Sequence, residues 1–230
     1  MPGAVDAICR LSEDYGKLGL KTLLAPAIHY AEAGIPVAPR VADDWARSVG
    51  QLQGAAQARY THGGAAPQAG TLFRAPEQAE VLRRIAEEGR AGFYEGEVAE
   101  DMVASLQALG GVHTLDDFAG THSDYTVPIS GQYGPYELVE HPPNGQGATA
   151  ILLLNILKHF DIADMDPWGV DRAHLEAEAS KLAYDARNRL LADPDYTARL
   201  DHMLSENTAA KLAALIDPTK AMEAAAPLTE

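Results

Sequence analysis

Most apolar positions of this chain recur at three- and four-residue spacing, the period of helices that bury one face. Residues 4–15 read as a short helix ending near Tyr15-Gly16. Leu20, Leu23, Leu24, Ala27, Ile28 and Ala31 then trace one stripe, which Gly34 closes with Pro36 just beyond. Pro26 lies inside that stripe, so the helix either starts there or is kinked there. Another helix is expected over residues 38–60 around Trp45, Val49 and Leu52, before a Gly-, Ala- and Pro-rich loop from Thr61 to Gly70. Pro76 opens the next one, with Ala79, Leu82, Ile85 and Ala86 inward and Gly89 past its end. Val98, Met102, Leu106 and Leu109 repeat the pattern up to Gly110-Gly111, and Thr114-Leu115-Asp116-Asp117 has the form of a capped single turn.

The rhythm changes after that turn. Tyr125 to Ile129 and Tyr136 to Glu140 carry aromatic and β-branched residues, with Gly131 and Gly134-Pro135 between them, which predicts a β-hairpin or two adjacent strands. Helical spacing returns from about Asp171, where Leu175, Ala179, Leu182, Ala183, Ala186 and Leu190 form an inner face that ends at Asp193-Pro194-Asp195. A last helix is expected over about 205–215, and residues 224–230 read as a loose tail of one domain spanning 1–230. The fold class is mainly α with a small β-hairpin element.

Between the hairpin and the long helix lies the stretch on which the chain turns. His141-Pro142-Pro143-Asn144-Gly145-Gln146-Gly147 leads straight into the nearly unbroken apolar run from Ala148 to Leu157. The prolines hold the chain extended, and Asn144-Gly145 supplies a turn that tolerates positive φ. The run is shorter than the ~20 apolar residues a bilayer requires, so it reads as a helix over 147–158 buried on every side. Its N-terminus either offers free N–H groups to an anion or merely lets the backbone turn under a sheet.

Composition narrows the partners. The 230 residues are 47% hydrophobic, enough to bury a core, and carry 33 acidic against 18 basic side chains, a formal charge of −15. Nucleic acid and anionic membrane both demand basic surface, so neither is expected as a partner. The single cysteine, Cys9, excludes an internal disulfide and reads as a small buried hydrophobe. No signal peptide is visible in residues 1–230, and either a cytoplasmic or a periplasmic location fits.

The residues by themselves supply no catalytic group. Gly-x-Ser-x-Gly, His-Glu-x-x-His, Cys-x-x-Cys, a phosphate loop and a dinucleotide fingerprint are all missing, so neither a metal nor a nucleotide cofactor is expected. His174 and Glu178 lie one helical turn apart and could share a metal, but no nearby spacing supplies a third ligand; the simpler reading is an exposed i,i+4 pair. Asp185, Arg187 and Arg189 suggest ion pairing. His113 and His122 bracket a loop, and Asp116-Asp117 are either paired carboxylates or helix caps.

Six segments taken in order resemble the γ-glutamyltranspeptidase family. They are Pro2-Gly3-Ala4-Val5-Asp6-Ala7; Leu23-Leu24-Ala25-Pro26-Ala27-Ile28 with Ala31-Glu32-Ala33-Gly34-Ile35-Pro36-Val37; and Phe93-Tyr94-Glu95-Gly96-Glu97-Val98-Ala99. Gly110 to Phe118, the Pro142-to-Gly147 turn with Leu154-Asn155-Ile156-Leu157, and Lys181 to Tyr184 through Asp193-Pro194-Asp195-Tyr196 complete the set. Two departures bear on the substrate. Members with well-defined γ-glutamyl activity often read Ser-Ser-Gly-Gly where Asn144-Gly145-Gln146-Gly147 stands, and Ala-Asp-Arg where Asp185-Ala186-Arg187 stands.

The resemblance implies a segment from the middle and C-terminal part of the large subunit of an αββα N-terminal-nucleophile hydrolase, supplying mostly outer helices. Such proteins cut themselves before a threonine, which then heads a small subunit and acts as nucleophile with its own α-amine as base. Thr229, followed only by Glu230, cannot head a folded subunit, so no catalytic residue is expected in this chain. The expected partners are a small subunit bearing the threonine, a preceding N-terminal segment and a small-molecule amide substrate. Asn144 and Gly145 are the candidate substrate-binding residues. The substrate is a γ-glutamyl amide such as glutathione, or another amide as in acylases and small-amide hydrolases. A truncated, non-catalytic helical domain is the contrasting reading.

Overall fold

A computed structural model describes residues 1–225. The chain divides into two compact units, Met1–Asp124 and Tyr125–Glu230.

The first unit is a set of short helices: α1 (Ala4–Tyr15), α2 (Leu20–Ala33), α3 (Pro39–Ser48), α4 (Gly54–Tyr60), α5 (Pro76–Glu88), α6 (Ala91–Tyr94), α7 (Gly96–Ala108) and α8 (Leu115–Ala119). Two-residue strands β1 (Ile35–Pro36) and β2 (Leu72–Phe73) pair antiparallel between them. α2 runs through Pro26 without starting there. It lies along α5, yet none of its residues is fully buried, and Leu23 and Ala27 of the expected inner stripe are exposed. The helix expected over 38–60 is broken, because Gln53 is extended and Gly54 takes a φ of 54°, so α4 starts afresh. α7 turns its face slightly from the expected one: Ala99 and Val103 are buried, Met102 and Leu106 pack beside them, and Leu109 is 87% exposed past the helix end. Tyr94, Ala99, Val103 and Phe118 form one buried cluster of this unit, in which Cys9, Val37, Ala79 and Ile85 are also buried.

A polar clasp supplements that core. The buried Asp6 carboxylate accepts from Arg90 Nε at 2.7 Å and from the Ser123 N–H at 2.7 Å. The Asp6 N–H donates to the Tyr94 hydroxyl, which donates in turn to the Pro2 carbonyl at 2.6 Å. Arg90 lies 4.9 Å from the Tyr94 ring centroid and donates to the carbonyls of Ala119 and Thr121. Burial pushes the Asp6 carboxyl up, but the Ser123 and Arg90 bonds and the guanidinium charge outweigh it and hold the group below the ordinary carboxylate range.

The second unit comprises β3 (Ile129–Tyr133), β4 (Tyr136–Glu140), α9 (Gly147–Leu157), α10 (Val170–Leu190), α11 (Leu200–Leu204) and α12 (Glu206–Ala213). The hairpin is antiparallel with Tyr133 opposite Tyr136. Its second strand falls where expected. The first lies four residues later than expected, because the turn at Gly134, with a φ of 57°, sets the register, and Gly131 lies directly on α9. A Cβ at Gly131 would lie 2.6 Å from Ile151 Cγ2, so only glycine permits this approach.

α9 is the centre of this unit, packed by both strands, α10, α11 and α12. Leu152 and Ile156 are fully buried, and Ala179, Leu182, Ala183, Met203 and Leu212 join them in one apolar cluster. Burial is not complete around the helix: Ala150, Leu153 and Leu154 are only half-buried. α10 buries the face its spacing predicts, with Leu190 packed at the margin. The last expected helix is two, α11 and α12, because Ser205 is extended and caps α12 by accepting from the Thr208 N–H at 3.2 Å. Ala225 packs against the core, while the expected tail from residue 226 on lies outside the described residues. Among the described residues no helix is long and apolar enough to cross a membrane.

Candidate functional site

The turn into α9 has an open half and a closed half. Asn144, Gly145 and Gln146 are exposed, whereas Gly147, Ala148 and Thr149 are buried. The expected positive φ is not used: neither Asn144 nor Gly145 adopts one, and the Pro143–Asn144 peptide is cis. A Cβ added to Gly145 would meet only the Pro142 carbonyl oxygen, at 3.8 Å. On Gly147 it would lie 2.4 Å from Glu140 Cβ and 2.7 Å from the His141 carbonyl oxygen. Gly147 is thus the glycine this geometry requires, because the end of β4 crosses the start of α9 too closely for any side chain.

The helix start carries no cap or carboxylate of its own. Gln146 occupies the N-cap without a side-chain capping bond, and no acidic residue stands in the first turn. The N–H groups of Thr149 and Ala150 are both directed at the Gln146 carbonyl, at 2.9 and 3.3 Å. The positive end of α9 therefore lies beneath Asn144 and Gly145 with no carboxylate from its own first turn beside it. The Thr149 hydroxyl oxygen is buried and has no hydrogen-bond partner among the described residues, an uncommon state for a buried polar atom. A helix start of this kind can receive a carboxylate or a developing oxyanion, and the exposed Asn144 amide can add donors.

The other candidates resolve into structural roles. His174 and Glu178 do not form an exposed pair. His174 Nε2 lies 2.8 Å from the Asp217 carbonyl oxygen, and Glu178, 1% exposed, takes Lys181 Nζ at 2.7 Å and the Met222 N–H at 2.9 Å. Burial pushes the Glu178 carboxyl up, but the bonds from Lys181 and Met222, with the charges of Lys181 and His174, outweigh it and leave the group below its ordinary range. No trio of His, Cys, Asp or Glu among the described residues is grouped to hold a metal. Asp117 closes a capping box with Thr114, the capped turn the sequence predicts. His122 Nδ1 lies 2.9 Å from the Gly120 carbonyl oxygen, and His113 Nδ1 is buried without a partner among the described residues. Asp185 binds Arg189 through two bonds, at 2.8 and 3.0 Å, while Arg187 donates to Asn188. Cys9 is buried and free, as expected of a small hydrophobe.

An i,i+4 pairing with His174 alone would put Glu178 on the surface. Its position three residues after Leu175 and four before Leu182, both buried, was the available signal that it lies on the inner stripe.

The family model described as Gamma-glutamyltranspeptidase matches residues 1–230. The chain is 35% identical to the "Glutathione hydrolase-like YwrD proenzyme" of Bacillus subtilis (strain 168), over 93% of this chain and 41% of that protein. Its structure is similar to that of Helicobacter pylori gamma-glutamyltranspeptidase, with a TM-score of 0.88 and 26% identity over 97% of this chain and 65% of the other. It is also similar to that of cephalosporin acylase from Bacillus halodurans, with a TM-score of 0.84 and 34% identity over 94% of this chain and 42% of the other. The chain thus spans about two fifths of the length of the Bacillus subtilis protein. The structures match over nearly the whole of this chain, and the chain belongs to the gamma-glutamyltranspeptidase family.

Proposed function

We propose that residues 1–230 serve as part of the large chain of an N-terminal-nucleophile enzyme that transfers or hydrolyses γ-glutamyl amides of the glutathione type. The nucleophilic threonine lies outside this chain, at the head of a small subunit released by self-cleavage. In that cleavage the threonine hydroxyl adds to the carbonyl carbon before it, and the C–N bond breaks as the amine gains a proton. Water then hydrolyses the ester to a carboxylate and a free threonine. The same hydroxyl, with the freed α-amine as base, attacks the substrate amide. Asn144 and Gly145 line one side of the pocket and take an anionic or carbonyl oxygen of the substrate. The observation that carries this reading is the exposed Asn144-Gly145 turn over the uncapped start of α9, in a chain matched to the family along its whole length.

A second substrate reading has its own support. Asn144-Gly145-Gln146-Gly147 replaces the Ser-Ser-Gly-Gly common in γ-glutamyl enzymes, and a cephalosporin acylase is among the similar structures at 34% identity. An acylase or small-amide hydrolase using the same nucleophile fits these two facts.

The test is a turnover assay with γ-glutamyl anilide and with acyl amides. The purified chain alone is expected to show no turnover, and a mixture with the small subunit and the preceding segment is expected to show it. Turnover by the chain alone would require a nucleophile within residues 1–230 and would overturn the proposal. Asn144→Ala in the active mixture should raise KM if the side chain touches substrate, and acyl-amide turnover without γ-glutamyl turnover would select the second reading.

A further inference from the structure

His174, Glu178 and Lys181 follow one another along α10 at spacings of four and three residues, so they stack on a single face. Each holds backbone of the segment that follows α12. His174 Nε2 meets the Asp217 carbonyl oxygen at 2.8 Å. Glu178 accepts the Met222 N–H at 2.9 Å, and Lys181 Nζ donates at 3.0 Å to the carbonyl of the same residue. Lys181 Nζ is also 2.7 Å from Glu178, so both backbone groups of Met222 are read by one joined acid–base pair. Ile216 is buried in the core ahead of this segment, and the Met222 side chain packs on the core at its end. Asp217 tightens the stretch between them by accepting the Thr219 N–H at 2.8 Å and its hydroxyl at 2.7 Å.

A fully buried carboxylate is costly unless it is paired, and here one of its oxygens is committed to a main-chain N–H. Packing alone would be served by an apolar residue at 178. What the carboxylate adds is register, because a one-residue slip of the segment would replace Met222 by a neighbour whose side chain does not reach the core.

We infer that Glu178 and Lys181 form a positioning clasp that fixes the path of residues 217–222 over this unit, and that in the full precursor this anchor holds the downstream self-cleavage junction in reactive geometry. The second clause rests on the enzyme reading given above. Neither residue touches reacting atoms; both act through the main chain of residues 217–222. An anchor at Met222 shortens the free chain that must otherwise be ordered before the threonine can attack its own peptide.

The experiment has two readouts. Hydrogen exchange in the 230-residue chain reports the amides of Thr219 to Met222, and the half-life of the intact full precursor reports self-cleavage. Glu178→Gln and Lys181→Met are each expected to expose those amides while the α9 amides stay protected, and to slow cleavage by about tenfold. The double variant should be no slower than the worse single one, since the two side chains act as a unit. Lys181→Arg should restore both readouts in part. Faster exchange with an unchanged precursor half-life would reduce the clasp to a stability feature and overturn the inference. Unchanged exchange in Glu178→Gln would overturn it outright. A wild-type precursor that never cuts itself would sink the enzyme reading and the junction claim together. A wild-type that cuts while the variants keep pace would sink only the inference.

Discussion

The two units of this chain hold themselves together by different means. In the second, one helix, α9, is enclosed by two strands and three helices, and its neighbours share a continuous apolar cluster. In the first, the core around Tyr94 and Phe118 is small, α2 buries no residue fully, and the ends of the unit are tied by Asp6, Arg90, Tyr94 and Ser123. Trp45, Tyr60 and Phe73 form a separate aromatic group, with Arg59 lying 5.8 Å from the Phe73 centroid. The difference teaches where directionality is needed. Apolar burial tolerates small shifts of geometry, whereas a carboxylate that serves a guanidinium and a backbone N–H does so in one arrangement only.

That contrast can be broken most forcefully at Leu152. Leu152→Ala should cost about 3–5 kcal/mol, because the side chain is fully buried at the centre of the cluster. Urea unfolding measures it, and a loss below about 1 kcal/mol would mean that α9 does not organise its unit. Asp6→Ala should cost about 2–3 kcal/mol by leaving Arg90 and the Ser123 N–H without their acceptor. Hydrogen exchange should localise that loss to α1 and residues 119–123, with α9 amides unaffected; a uniform loss would show that the two units are not distinct in stability.

The same carboxylate gives a pH signature. Its folded pKa lies below its unfolded value of about 4, so its contribution is complete at neutral pH and disappears as pH falls through the folded pKa. The stability difference between wild type and Asp6→Asn should therefore be flat above about pH 5 and shrink below about pH 4, as acid denaturation curves would show. A difference that grew on acidification would reverse the sign and dismiss the clasp. The mildest effect belongs to Ser205→Ala, which removes the α12 cap and should cost about 1 kcal/mol by the same unfolding measurement.

The sequence made the second unit more legible than the first, for the same physical reason. Periodicity reports apolar burial, so α10 and the α9 run stood out, and Gly134 marked the hairpin turn. The clasp has no period. Asp6 and Arg90 are 84 residues apart, and nothing local to either announces the other. α2 shows the converse error, an apolar stripe on a helix that buries none of it fully within its own unit. At the candidate site, the glycines and prolines located the turn. The positive φ expected of Asn144-Gly145 did not materialise, because a residue type permits a conformation without imposing it.

The crossing of β4 over the start of α9 makes a forecast about variation. If residues 144–147 were randomised and clones kept only for being folded, positions 144, 145 and 146 should accept many residue types, since their side chains face solvent or open space. Position 147 should return glycine alone, because β4 and the His141 carbonyl fill the place of its Cβ. Selection of the same library for turnover would then narrow 144 and 145 only if they meet substrate. The two lists, laid side by side, would separate what this turn owes to its own backbone from what it owes to a ligand.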